Sequence, residues 1–299
     1  MARADWIALA VAALSALAGY RRGLVATALS FGGLLAGALL GLALVWVAAA
    51  VLLQLPGRPK VREEVLSSKI VQQLNQIVPP RTVLRAFARV DPFPSIAGPT
   101  PPLAPPDATV LQSAAVRRAK ASVVRITAVA CGLGVEGSGW VAAPHVVVTA
   151  AHVVAGAHGV RARGHAASVL VIDRKQDVAV LRVPGLNAPA LPIAGPTRGA
   201  SIAILGFPEN GPFDARAGRV GNTADVLVNG ALREVTALSG LIRHGNSGGP
   251  AVDAQGAVEA TVFAARIGAK GGYGVPDAPV RAALARAKKP VSTGACGTS

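Results

Sequence analysis

The chain has 299 residues, 30 Lys and Arg against 15 Asp and Glu for a net charge of +15, and only two cysteines. The positive surplus invites a nucleic-acid reading, but no recognition helix, basic block or interleaved aromatic platform accompanies it, so that class is set aside. What the charge leaves is attraction to anionic lipid headgroups or cell-wall polymers.

The first 56 residues read as a membrane anchor. A spanning helix needs roughly 20 apolar residues. Leu24 to Leu55 gives 32 residues without a charge, and a shorter apolar stretch, Trp6 to Ala18, reaches spanning length when extended from Ala4 to Tyr20. Two transmembrane helices are expected, and the longer second segment weighs against a cleaved signal peptide. Arg21 and Arg22 lie in the loop between the spans, which assigns that loop to the cytoplasm and both ends to the outside. Arg58, Lys60 and Arg62 point the other way, but basic residues recur along the whole chain.

Residues 57–107 read as a spacer. Val61, Val65, Ile70, Leu74 and Ile77 fall on one side of a helix expected from Lys60 to Val78 and ended by Pro79-Pro80. Between Asp91 and Pro106 stand seven prolines. Such a segment is extended and semi-rigid, and its exposure makes it a candidate for self-cleavage.

From residue 108 to 299 the pattern is that of one domain. A short helix is expected around Ala108 to Ala119. Short β-branched runs separated by Gly, Pro or charged turns follow, which predicts an all-β domain. Val123–Val129, Ser138–Ala142, Val146–Thr149, Ser168–Ile172 and Val178–Val183 would build a first barrel. Ile202–Gly206, Ala217–Asn222, Val226–Val228, Arg233–Leu238, Ala251–Asp253, Val258–Phe263 and Gly272–Val275 would build a second. Ala278 to Lys288 reads as a closing helix.

Three strings within this domain carry chemistry: Thr149-Ala150-Ala151-His152, Asp177-Val178-Ala179-Val180-Leu181, and Gly245-Asn246-Ser247-Gly248-Gly249-Pro250. A serine hydroxyl is almost fully protonated at neutral pH, so attack on an amide carbonyl needs a base within hydrogen-bond reach. His152 is the expected base, Asp177 the group that fixes its tautomer, and Ser247 the nucleophile. The N–H groups of Gly245 and Ser247 are expected to receive the oxyanion. Asp173 is a rival to Asp177, but it precedes Arg174 and Lys175 in a polar turn, whereas Asp177 opens an apolar run. No metal-ligand spacing, phosphate loop or cofactor fingerprint appears, and no metal or cofactor is expected.

With these strings, Cys131 ahead of Glu136-Gly137-Ser138-Gly139-Trp140 and the tail Val291-Ser292-Thr293-Gly294-Ala295-Cys296 complete a resemblance from about residue 122 to 296. The chain resembles the trypsin-like, chymotrypsin-fold serine proteases, and in particular the membrane-anchored bacterial group typified by the mycobacterial acid resistance protease. The resemblance implies a double β-barrel behind N-terminal transmembrane helices. It also implies a multi-pass membrane protein whose protease domain lies on the extracytoplasmic (periplasmic) side and processes envelope proteins, such as cell-wall hydrolases, in stress tolerance. The segment Gly19-Tyr20-Arg21-Arg22-Gly23, with Leu29-Ser30-Phe31-Gly32-Gly33, is similar to the opening of the colicin V production protein family, whose members usually have four spans. By the same resemblance Leu241, six before the nucleophile, lies at the base of the pocket for the side chain preceding the cut. With no carboxylate there, uncharged apolar side chains are expected, and Val262, Phe263 and Ala264 would form a neighbouring wall.

In an exported domain free thiols are a liability, so Cys131 and Cys296 are expected to pair. The closed loop would contribute about 4–5 kcal/mol in the chain-entropy model. The serine string suits HtrA-type quality-control proteases equally well. Those continue into a peptide-binding PDZ domain, whereas 52 residues follow Ser247 here. A non-catalytic peptide-binding membrane scaffold is the alternative outside enzymes.

Overall fold

The computed structural model describes residues 103–130, 133–228, 231–266 and 271–295, together with Ser95–Ile96 and four positions near the N-terminus, Trp6, Leu9, Ala10 and Ala13. Among the described residues no helix is long and apolar enough to cross a membrane. The expected spans (those four positions apart), the expected 60–78 helix, Cys131 and Cys296 lie outside the described residues. The chain divides into two compact units, and the one comprising residues 91–130 and 134–299 holds the architecture below.

Strand β1 is the pair Ser95–Ile96; β2 to β8 are Val123–Ala130, Leu133–Ala143, Val146–Thr149, Ala157–Ala162, His165–Ala166, Ser168–Asp173 and Val178–Arg182. The second group, β9 to β14, is Ser201–Gly206, Asp214–Val228, Ala231–Gly240, Pro250–Val252, Val258–Arg266 and Gly272–Val275. Helices are α1 (Ala114–Ala119), α2 (Ala151–Val154) and α3 (Asp277–Arg286). The first sheet runs β6-β5-β2-β3-β4-β8-β7, and the second runs β1-β13-β12-β9-β10-β11-β14. In the second, an additional β13–β14 pairing closes six strands into a barrel and leaves β1 outside as a parallel addition to β13.

Alternation explains how the first sheet finds its core. Along β2, Val124, Ile126, Ala128 and Ala130 are buried on one face, where Val141, Val147, Val160 and Leu181 meet them. The second barrel has its own cluster of Ile202, Ile204, Val220, Leu238 and Val262. A third and larger cluster belongs to both sheets: Val123, Trp140, Val148 and Val180 from the first pack with Leu205, Val235, Val252 and Phe263 from the second. Trp140, fully buried, crosses this seam and donates from Nε1 to Thr261 Oγ1 at 3.1 Å. Burial of a side chain that size is worth about 3 kcal/mol, so the seam is a fixed interface rather than a hinge.

The structure amends several sequence expectations. The 108–119 helix is two pieces, a 3₁₀ turn over Ala108–Gln112 and then α1. Ser113 divides them: its Oγ accepts from the N–H of Ala115 at 3.1 Å and donates to Ala254 O at 2.6 Å, an N-cap that also pins the helix to the second barrel. The two runs 217–222 and 226–228 are one strand, β10, kinked by a bulge between Val220 and Thr223. Strands β5 and β6 were not expected, because Val160 is their only β-branched residue. Their two-residue turn, Arg163-Gly164, has positive φ at both positions (48° and 83°), the geometry of a type I′ hairpin without its usual Asn-Gly signal.

The tail after α3 returns to the first sheet. Val291 N–H donates to Val169 O at 2.8 Å, Thr293 O accepts from Gly156 N–H at 2.9 Å, and Thr293 Oγ1 donates to Ala157 O at 2.8 Å. At the opposite end Glu259 is a buried carboxylate whose Oε2 accepts from Thr197 N–H at 2.5 Å. Burial, assisted by the charges of Asp253 and Asp277, raises its pKa above the ordinary value and outweighs the Thr197 bond. A raised carboxylate pKa means the ionised form costs stability at neutral pH, and the cost fades as the group protonates in acid. Glu259→Gln should therefore raise Tm at neutral pH, with the gain fading as pH falls through the carboxylate range. Thermal melts at neutral and acid pH check this.

Candidate active site

The three expected residues converge where the two sheets meet. His152 sits in the single turn α2, immediately after β4 delivers Thr149 to the sheet end. Asp177 ends the turn between β7 and β8, and Ser247 lies in the loop between β11 and β12. His152 Nε2 is 2.8 Å from Ser247 Oγ, and His152 Nδ1 is 2.6 Å from Asp177 Oδ2. Asp177 Oδ1 also accepts from the His152 backbone N–H at 2.9 Å. With both oxygens engaged on one residue, the carboxylate fixes the ring plane and the tautomer in which Nδ1 carries the proton and Nε2 faces the hydroxyl.

Asp177 is buried, and burial by itself would push its pKa up. The charge and hydrogen bond of His152, followed by the charge of Arg233, outweigh that and hold it below the ordinary carboxylate value. The residue also adopts a left-handed backbone, with φ of 57°. Asp173, the rival, lies in the polar turn: its Oδ1 accepts from Gln176 N–H at 2.9 Å and its Oδ2 from Arg286 Nη2 at 2.8 Å. It helps to shape the turn that presents Asp177.

The nucleophile loop is gripped by a residue that sequence reading quoted but gave no role, Ser138. Its N–H donates to Ser247 O at 2.7 Å, and its Oγ donates to Gly245 O at 2.7 Å while accepting from Phe207 N–H at 2.9 Å. Main-chain carbonyls on both sides of Asn246 are thereby tied back. Gly245 has φ of 89°, and a Cβ there would collide with Phe207 O; Gly248, at 80°, leaves no space for one beside Ser138 O and Thr149 Oγ1. The supporting segment is itself braced. Glu209 N–H donates to His244 O at 2.8 Å, Arg243 pairs with Glu209 and Asp214, and Arg125 pairs with the buried Glu136 at 2.6 Å while its guanidinium lies 4.9 Å from the centre of the Phe207 ring.

The expected pocket residues differ in setting. Leu241, just past β11, is 41% exposed, whereas Val262, Phe263 and Ala264 are fully buried. Val262 is bound to the nucleophile loop by main chain: Gly248 N–H donates to Val262 O at 2.7 Å, and Val262 N–H donates to Gly249 O at 2.8 Å. Its side chain enters the second barrel's own cluster, while Phe263 enters the cluster shared by both sheets.

Two antiparallel sheets with a shared core and a Ser-His-Asp relay at their junction define the class: this is a chymotrypsin-fold serine protease. Residues 137–260 match the trypsin-like peptidase domain. The serine protease Rv3671c of Mycobacterium tuberculosis is 33% identical over 281 residues, covering 84% of this chain and 70% of that protein. The crystal structure of the M. tuberculosis Rv3671c protease in its active form matches with a TM-score of 0.63 at 34% identity, over 69% of this chain and 98% of that one. A serine-to-alanine variant of the HtrA-type protease AlgW, with a tripeptide, matches at a TM-score of 0.51 and 20% identity over 57% and 61% of the two chains, a likeness of fold alone. The chain therefore belongs to the Rv3671c family of trypsin-like serine proteases, and it is a serine endopeptidase.

Proposed function

We propose that the chain is a membrane-anchored protease whose catalytic domain, residues 108–299, works outside the cytoplasmic membrane on proteins of the cell envelope. The observation that carries its mechanism is the unbroken relay from Ser247 through His152 to Asp177, with spacings of 2.8 and 2.6 Å. Ser247 Oγ attacks the scissile carbonyl while His152 Nε2 takes its proton; the N–H groups of Gly245 and Ser247 hold the oxyanion. Collapse breaks the C–N bond, His152 returns the proton to the leaving amine, and water then releases the acyl group by the same steps. A fluorophosphonate should add one adduct mass to the full-length chain in detergent and none to Ser247→Ala. An unlabelled wild type would overturn the assignment.

Residues 1–56 supply the anchor, with two spans and a likeness to the colicin V production proteins, and residues 57–107 the spacer. Leu241 forms the base of an apolar specificity pocket, with Val262, Phe263 and Ala264 as its wall. The Pro-rich part of the spacer is a site of self-cleavage. Support for this comes from β1, which holds Ser95–Ile96 beside Ala265 and Arg266 on the barrel that carries Ser247.

Cys131 and Cys296 form the disulfide expected of an exported domain. Their described neighbours support it: Ala130 pairs with Ala157, and Thr293 Oγ1 donates to Ala157 O. Alkylation of the folded protein should label neither cysteine until reductant is added. Full labelling of both without reductant would exclude the bridge.

A further inference from the structure

A cation stands behind the catalytic aspartate. Arg233 lies on β11 of the second barrel, opposite Val226 of β10, yet its guanidinium reaches into the first barrel's turn between β7 and β8. Nε donates to Lys175 O at 2.7 Å, and Nη2 donates to Arg174 O at 2.9 Å. Nη1 lies 3.9 Å from Asp177 Oδ2, the oxygen bonded to His152 Nδ1. The guanidinium carbon stands 5.2 Å from the centre of the Phe263 ring, and the side chain is only 11% exposed.

Each contact does a separate job. Asp177 has a left-handed backbone, which a residue with a side chain holds only when its surroundings over-determine it. Two charge-assisted bonds to consecutive carbonyls just ahead of Asp177 supply that constraint from a different sheet. Phe263 sets the plane of the fork, so both bonds and the approach to Oδ2 are made at once. Burial keeps water from screening the guanidinium's field at the carboxylate. Among the described residues the charges acting on Asp177 are those of His152 and Arg233. The neighbouring guanidinium of Arg174 is turned to Thr293 O at 2.8 Å. From the second barrel, Arg233 brings its charge to the dyad and Ser247 its hydroxyl.

We propose that Arg233 is a positioning residue for catalysis: from the second barrel it locks the Asp177-bearing turn in register with His152, and its fixed positive charge opposes the loading of a second proton onto the dyad in acid. The inference rests on the triad roles assigned above, which fluorophosphonate labelling of the wild type reports independently. A failed label would count against the triad, not against Arg233.

The test compares wild type, Arg233→Met and Arg233→Lys as full-length protein in detergent, with kcat and KM for an unstructured peptide measured against pH and Tm measured alongside. Arg233→Met should lose about 10- to 100-fold in kcat with KM within about threefold, the range for a misplaced catalytic group. Its acidic limb should also move to higher pH. Lysine keeps the charge but cannot make the planar double bond to both carbonyls. Arg233→Lys should therefore restore the acidic limb while kcat stays low. A wild-type kcat in Arg233→Met, or a loss of Tm with the pH profile unmoved, would overturn the proposal. If Arg233→Met does not fold, Arg233→Lys decides: reduced kcat at unchanged Tm supports the role, and wild-type kcat overturns it.

Discussion

Alanine at His152, at Ser247, or at both should lower kcat by the same factor, about 10⁶. The reason is in the spacing. Nε2 and Oγ are 2.8 Å apart, so base and nucleophile are one device: without the imidazole the hydroxyl is not activated, and without the hydroxyl the imidazole has nothing to activate. The double variant should therefore lose no more than either single one. A residual rate about 10³–10⁴ above the uncatalysed reaction should survive in all three, since Ser138 holds the nucleophile loop through main-chain carbonyls that these substitutions leave in place. Multiplying losses in the double variant would mean that the two groups act independently, and burst kinetics with an activated ester would locate the step affected.

Asp177→Asn should cost about 10⁴ in kcat while KM changes little. The amide is nearly the same shape, so the fold has no reason to move. It nevertheless presents a donor where His152 Nδ1–H or Arg233 needs an acceptor, which favours the wrong tautomer and leaves the Arg233 cation without its carboxylate. The pH behaviour carries a second signature. A carboxylate held below its ordinary pKa contributes stability that is complete above the unfolded value and lost as pH falls through the folded one. The wild type should lose stability in that acid window, and Asp177→Asn should lose less across it. Denaturant titrations at several pH values, read beside the kinetics, distinguish this from a general loss of fold.

The triad was legible in the chain because each member carries its own local context. His152 follows a strand end, Asp177 opens an apolar run, and Ser247 is flanked by glycines whose positive φ the turn demands. The barrel strands with dense β-branched residues, β4 and β8 among them, were legible for the same reason. Strand β5 was not, since Ala-His-Gly-Val-Arg-Ala owes its conformation to its partner β2 rather than to its composition. Ser138 and Arg233 were also invisible as functional residues. Both act on chain segments far from them in sequence, and no local pattern marks an arginine in a strand as the support of an aspartate in another sheet. Leu241, Val262, Phe263 and Ala264 came only from resemblance, and their separate settings in the fold show why spacing alone could not rank them.

The two ends of the catalytic domain are exchanged. Residues leading into the first barrel, from Val110 to Ala119, pack with the second barrel's Val252 and Val258, while Val291 and Thr293, beyond the second barrel, bond to Val169 and Ala157 of the first. Neither barrel can therefore finish its own surface until the far end of the chain has arrived. Such wiring makes the last steps of folding depend on closing long loops, which slows them. The triad draws its members from both barrels, so it is complete only once both ends have docked.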